Sequence, residues 1–163
     1  MQRDAHEIRT LGPVLGVRTN RQIQALLKVS SFVMRHIGFP ADAWLAAEHA
    51  RTTAELVDTP IMSGLAARTQ SQAALTCHAY QRALELASCG IDRLAASRVA
   101  LAKPELEGQL HLTCAYALAH LGRIRDAVDH LAEAKKTALV TGETEGASTG
   151  VLYQGQVRSL TSP

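Results

Sequence analysis

Large aromatic side chains are nearly missing from this sequence. One Trp, three Tyr and two Phe make up 4% of 163 residues, while hydrophobic residues reach 47%. Much of the apolar fraction is therefore alanine, the strongest helix former and a residue small enough to let helices approach closely. Alternating runs of Val, Ile and Thr are missing too, which argues against a sheet. No apolar run approaches the roughly 20 residues that a membrane-spanning helix needs. Neither sign of charge dominates: the formal net charge of +2 is too mild to point to nucleic acid on its own. The glycine-rich phosphate loops G-x-x-x-x-G-K-S/T and G-x-G-x-x-G are absent. Cysteine is scarce. Cys77, Cys89 and Cys114 are odd in number and have no C-x-x-C spacing, which predicts reduced, buried thiols in a cytoplasmic protein. Met1–Arg9 carries Asp4, His6 and Glu7, unlike a signal peptide.

What is present is a pattern of paired helices. It is clearest around Gly122. Leu110, Cys114, Ala117, Leu118 and Leu121 fall on one helical face before it. Gly122 can adopt the left-handed backbone that ends a helix. Ala127, Leu131, Ala134 and Ala138 then recur at spacings of three and four. Working outward, Gly12-Pro13 interrupts residues 1–18, which read as a linker or partial helix. Residues 19–142 form the helical domain. Thr19 and Gln22 fit a capping box for a first helix, which Gly38 ends. Pro40 and Asp42 open a second, with Asp42 able to cap it, and Ala43, Ala47, Ala50 and Ala54 form its narrow seam to about Val57. Thr59-Pro60 starts a third helix over roughly 61–77. A fourth runs from about Tyr80 to Ser97. Lys103-Pro104-Glu105 opens a fifth that ends at Leu121. The sixth runs from Ile124 to about Val140, and Gly142 ends it. Residues 143–163 are rich in Gly, Ser and Thr and read as a flexible tail, or as a segment docking through Val151-Leu152-Tyr153.

Ala43, Ala83 and Ala127 each begin the small-residue seam of a second helix, each five residues after a turn position. His78 stands in the middle turn where the outer two have Gly38 and Gly122. The pattern resembles a tetratricopeptide repeat, with Ala115, Leu118, Gly122, Ala127, Leu131 and Ala134 in the motif's characteristic places. Together with Ala43–Ala50 and Arg82–Ala87, it is similar to the C-terminal helical domain of actinobacterial helix-turn-helix regulators of the xenobiotic-response-element type. The resemblance implies an all-α fold of three antiparallel hairpins stacked in a right-handed superhelix. It also implies a non-catalytic sensor or interaction module of a transcriptional regulator. Residues 1–18 are too short for a DNA-binding domain, so direct nucleic-acid binding by this chain is not expected.

The residues carry no catalytic constellation and imply no cofactor. His111 and Cys114 lie three apart, but no second pair completes the four ligands zinc prefers. Trp44, beside the alanine seam, reads as a plug between hairpins. The resemblance puts the first helix of each hairpin on the inner wall. Aligned on the turns, that wall receives Lys28, Phe32, Arg35 and His36 from the first copy. Arg68, Gln72 and Leu75 come from the second, and Gln109, Leu112, Tyr116 and His120 from the third. Those helices contain Arg21, Lys28, Arg35 and Arg68 against only Glu105 and Glu107, whereas the second helices hold most of the carboxylates. A basic wall with aromatic platforms suits an anionic peptide or protein partner. The competing expectation is a dimerisation scaffold with no ligand groove. In that reading Leu131, Ala138 and Leu139 form an exposed apolar end. A small enzyme is a distant third.

Overall fold

The computed structural model describes residues 22–23, 25–96 and 103–143. These residues are all-helical, and no strand occurs among them. Helix α1 covers residues 25–36, with 22 and 23 also helical. It is followed by α2 (Pro40–Val57), α3 (Pro60–Thr76), α4 (Tyr80–Ala95), α5 (Lys103–His120) and α6 (Ile124–Glu143). The expected linker at 1–18, the Thr19 cap, the end of α4 at Ser97 and the Val151-Leu152-Tyr153 contact lie outside the described residues.

Three of the connections share one backbone geometry. Gly38, His78 and Gly122 have φ of +87°, +57° and +76°. The next residues, Phe39, Ala79 and Arg123, donate their N–H back to the carbonyls of Met34, Ala74 and Leu118 at 2.8, 2.9 and 2.9 Å. Their own carbonyls then accept from the N–H of Ala43, Ala83 and Ala127, and a new helix begins. The left-handed residue turns the chain, and the backward bond satisfies a carbonyl left open at the helix end. Glycine enters that conformation freely. His78 carries a Cβ and does so at a cost of roughly 1–2 kcal/mol. Its ring Nδ1 lies 2.9 Å from the Tyr80 hydroxyl, which supplies a compensating hydrogen bond. The middle turn departs in residue type but keeps the backbone.

Two end signals act differently from expectation. Phe39, not Asp42, occupies the N-cap of α2, and its side chain makes no capping bond. Asp42 lies in the first turn, where its carboxylate favours the positive end of the helix dipole. Gly142 does not stop α6, which continues to Glu143; glycine costs a helix about 1 kcal/mol but breaks no hydrogen bond. Thr59 behaves as expected, accepting from the Met62 N–H ahead of Pro60.

The packing is built on small residues. Ala43, Ala47, Ala50 and Ala54 of α2 are all buried. Ser31 of α1 donates its hydroxyl to the Ala43 carbonyl at 2.9 Å, fixing α1 against the start of this seam. Helix α3 packs against α2, α4 and α5, and α5 packs in turn against α4 and α6. Leu84, Leu94, Leu106, Leu110 and Leu118 fill the main core between α4 and α5, and Ala83 and Ala127 are buried there too. Trp44 is half-buried and packs against this core, consistent with a plug. At the other end, Ala134 and Ala138 of α6 close over Leu112. Ala138 is therefore buried, and the tail expected either to cover this end or to leave it open lies outside the described residues. Leu131 is half-buried, and only Leu139 of that trio is exposed.

Two glycines mark the tightest approaches. A Cβ on Gly64 would lie 3.0 Å from Leu94 and Leu106 atoms. On Gly90 it would lie 2.8 Å from the Ala67 Cβ, which is fixed to the α3 backbone and cannot swing away. Gly90→Ala should therefore destabilise the fold by about 1–2 kcal/mol, the overpacking strain exceeding the gain in helix propensity. Chemical denaturation checks this, and an unchanged or raised midpoint would show that α3 and α4 can separate freely.

Candidate functional site

Alternate helices line one open cleft of about 280 Å³. Helix α1 contributes Lys28, Val29, Ser31, Phe32 and Arg35. Helix α3 contributes Arg68, Thr69 and Gln72, and α5 contributes Glu105 and Gln109. Six of the eleven residues expected on the inner wall thus meet here: Lys28, Phe32, Arg35, Arg68, Gln72 and Gln109.

Charge is unbalanced in this cleft. Lys28, Arg35 and Arg68 face a single carboxylate, Glu105. Every ion pair among the described residues instead lies on α2, α4 or α6, or in the turn entering α6: Arg51 with Glu48 and Glu55, Arg82 with Glu85, Arg123 with Asp126, and Lys136 with Glu133. Arg68 is the deepest cation. Its Nε is shut off from solvent and has no hydrogen-bond partner. Burial pulls its pKa below the ordinary arginine value, the neighbouring Arg35 adds to that, and Glu105 opposes it. Lys28 is lowered by burial and then by Arg68, again against Glu105. Arg35 is lowered by burial, and its guanidinium carbon stands 5.7 Å from the Phe32 ring centre, within cation–π range.

The hydroxyls around these cations are already committed. Thr69 donates to the Leu65 carbonyl and Ser31 to that of Ala43. Gln109 donates to Glu105 at 3.2 Å and holds the carboxylate against α5. The groups free to meet a ligand are the three cations and the Gln72 carboxamide. Glu105 was absent from the expected site. It lies one turn before Gln109 on the same helical face, so the spacing contained the signal.

The other five expected residues lie elsewhere. His36 is exposed beside the cleft, its Nδ1–H donating to the Phe32 carbonyl and its ring 4.1 Å from the Phe32 ring. Tyr116 and His120 join Tyr80 of α4 instead. His120 stacks on Tyr80 with ring centres 4.3 Å apart and planes 1° from parallel, and Tyr116 packs on His120 at 4.7 Å. Leu75 and Leu112 are half-buried, Leu75 against the main core and Leu112 beneath α6.

The cysteines divide. Cys114 is buried, and desolvation pushes its thiol up to about 11, which leaves it unreactive. Cys77 and Cys89 are exposed, contrary to expectation. Cys77 falls in the turn after α3 rather than inside a helix, and Cys89 faces outward one position before the buried Gly90. His111 and Cys114 share no site: Cys114 meets the Ser88 hydroxyl, while His111 Nδ1 lies 2.8 Å from His130 Nδ1 across α5 and α6. Among the described residues, no three His, Cys, Asp or Glu side chains converge as a metal site. No helix there is long and apolar enough to cross a membrane.

No family model, curated protein or solved structure matches this chain.

The histidine pair makes stability depend on pH. Burial lowers both imidazole pKa values. His130 lowers His111 further, with Glu133 opposing. Asp126, Asp129 and Glu133 oppose the shift of His130, while Arg123 adds to it. One neutral ring can donate Nδ1–H to the other; two protonated rings would set N–H against N–H. A folded pKa below the unfolded value of about 6.5 means that the unfolded chain binds more protons as pH falls. The pair's contribution is complete above about pH 6.5 and is lost as pH drops through the lowered folded values. Thermal melts from pH 7.5 to 5 should show a falling midpoint, with a shallower fall in His130→Gln. Parallel profiles for the two proteins would exclude the pair as the cause.

Proposed function

We propose that this chain is a non-catalytic recognition module of stacked helical hairpins, in which the cleft between α1, α3 and α5 holds an anionic segment of a peptide or protein partner. The observation that carries this reading is Arg68 Nε, buried and unpartnered among three cations and one carboxylate. Leaving a charged donor unsatisfied in a buried position costs free energy, and an oxyanion entering the cleft would remove that cost. The shared geometry of the turns at Gly38, His78 and Gly122 supports a repeat architecture of the tetratricopeptide kind. So does the lining of one cleft by alternate helices. In such an architecture the helices wind as a right-handed superhelix with α1, α3 and α5 inside. The resemblance to the regulators named above suggests a cytoplasmic role in sensing a ligand or partner for transcription control.

Titration with acidic and basic peptides tests the groove. Acidic peptides should bind at least tenfold more tightly than basic ones, and the Arg35→Glu, Arg68→Glu double variant should lose that preference. Circular dichroism confirms that the variant is folded. Lys28→Glu, at the exposed mouth, provides a second variant that avoids the half-buried positions. Equal binding of both peptide classes, unaltered in either variant, would remove the assignment.

A second reading has its own observation. Leu26, Val29 and Val33 of α1 and Ile37 just after it are all exposed, a large apolar area for one short segment. Self-association through this face would make the chain a dimerisation element. Sedimentation across a hundredfold concentration range should then show a dimer that Val33→Glu dissociates. A monomer throughout would remove this reading and leave the groove.

A further inference from the structure

The cleft's charge and donor arrangement narrow the ligand beyond "anionic", and this inference rests on the groove reading above. We propose that the group anchored between Lys28, Arg35 and Arg68 is a phosphomonoester dianion, carried on a peptide side chain or on a small molecule.

Three cations against Glu105 leave two positive charges inside one cleft. An aspartate or glutamate side chain, or a chain terminus, would neutralise one. A phosphomonoester carries about −1.5 to −2 at pH 7 and would neutralise nearly both. The donor geometry agrees. A guanidinium offers a planar fork that matches two oxygens of a phosphate, and an ammonium acts as a point charge on a third. Arg68 Nε–H is such a donor without a partner. Arg35 sits over Phe32 with its guanidinium in no ion pair, Lys28 is exposed at the mouth, and the Gln72 carboxamide makes no hydrogen bond among the described residues. The Thr69 and Ser31 hydroxyls are taken up by backbone carbonyls, so the free donors are dominated by full positive charges.

Size and rim add to this. A volume of about 280 Å³ accepts one phosphorylated side chain or a small phosphate ester, and is too small for a folded element. Val29 and Phe32 line the cleft, yet both are exposed, forming an apolar lip over which residues flanking a phosphorylated side chain could lie. Glu105 limits the excess charge to two, and Gln109 pins it in place. Removing that carboxylate should strengthen phosphate binding, a gain that a purely structural role for Glu105 would not produce.

The test is calorimetric titration of the full chain with a leucine-flanked peptide carrying serine, one aspartate, an aspartate pair or phosphoserine at its centre, and with free O-phosphoserine. The phosphoserine peptide should bind at least tenfold more tightly than either aspartate form, and serine should not bind measurably. Glu105→Gln should tighten phosphoserine binding several-fold, while Lys28→Gln should weaken it several-fold without touching the half-buried Arg68. Free O-phosphoserine binding as well as the peptide identifies a small phosphate ester as the source; weaker binding identifies a phosphopeptide that also uses the Val29 and Phe32 lip. Aspartate or paired aspartate matching phosphoserine would overturn the phosphomonoester and leave acidic-peptide recognition standing. Binding of none of these ligands would overturn both.

Discussion

Helices in this protein approach until a glycine backbone meets a neighbour's side chain, and the remaining features of the fold follow from that spacing. Gly90 meets Ala67 with no room for another carbon, and Gly64 lies against Leu94 and Leu106. The four buried alanines of α2 act in the same way along a longer line. A chain with so few aromatics cannot fill wide gaps between helices. It closes them instead, because dispersion gains depend on contact rather than on side-chain size. The leucines of α4 and α5 occupy what space remains. The central α3 pays in polarity for its position: Thr69, Gln70 and Ser71 are buried in it. Each is satisfied, the hydroxyls by carbonyls of their own helix and Gln70 by Glu48 of α2 at 2.8 Å.

The same close packing creates the cleft. With α3 held from three sides, Arg68 is placed where α1 and α5 flank it. Two arginines show what the surroundings decide. Arg51, on the surface of α2, has its pKa raised, first by its hydrogen bond to Glu48 and then by that to Glu55. Arg68 is lowered by burial and by another cation. Identical side chains are thus paired with carboxylates on one helix and left with an unpartnered Nε on another. Glu48, Glu55, Glu85, Asp126 and Glu133, on α2, α4 and α6, each find a cation three or four residues away along the chain.

Much of the candidate site was legible once the turns were aligned. Lys28 and Arg68 each lie ten residues before a turn residue, and Phe32 and Gln72 each lie six before one; the cleft brings them together. The same alignment did not place Tyr116 and His120 in the cleft, because Tyr80 at the start of α4 captures the His120 ring. Register along one helix is periodic and can be counted. Capture by a side chain from another helix depends on how far and at what angle the two axes pass.

The sequence by itself determined where most helices begin and end, which positions turn the chain, and which small residues go inside. Those outcomes rest on local forces: backbone conformational preference at Gly38 and Gly122, the cap at Thr59, and apolar spacing of three and four. Even His78 was placed correctly, because its neighbours impose the backbone that glycine would have adopted freely. Only the tertiary structure decided that α6 continues past Gly142, that Gly90 sits on Ala67, that His111 meets His130, and that Arg68 Nε has no partner. The last three are contacts, or the lack of one, between groups far apart in the chain, and they are set by the rotation of each helix about its axis. An alanine-rich helix has a weakly defined apolar face, so its rotation is fixed by the neighbours that pack against it and not by its own pattern.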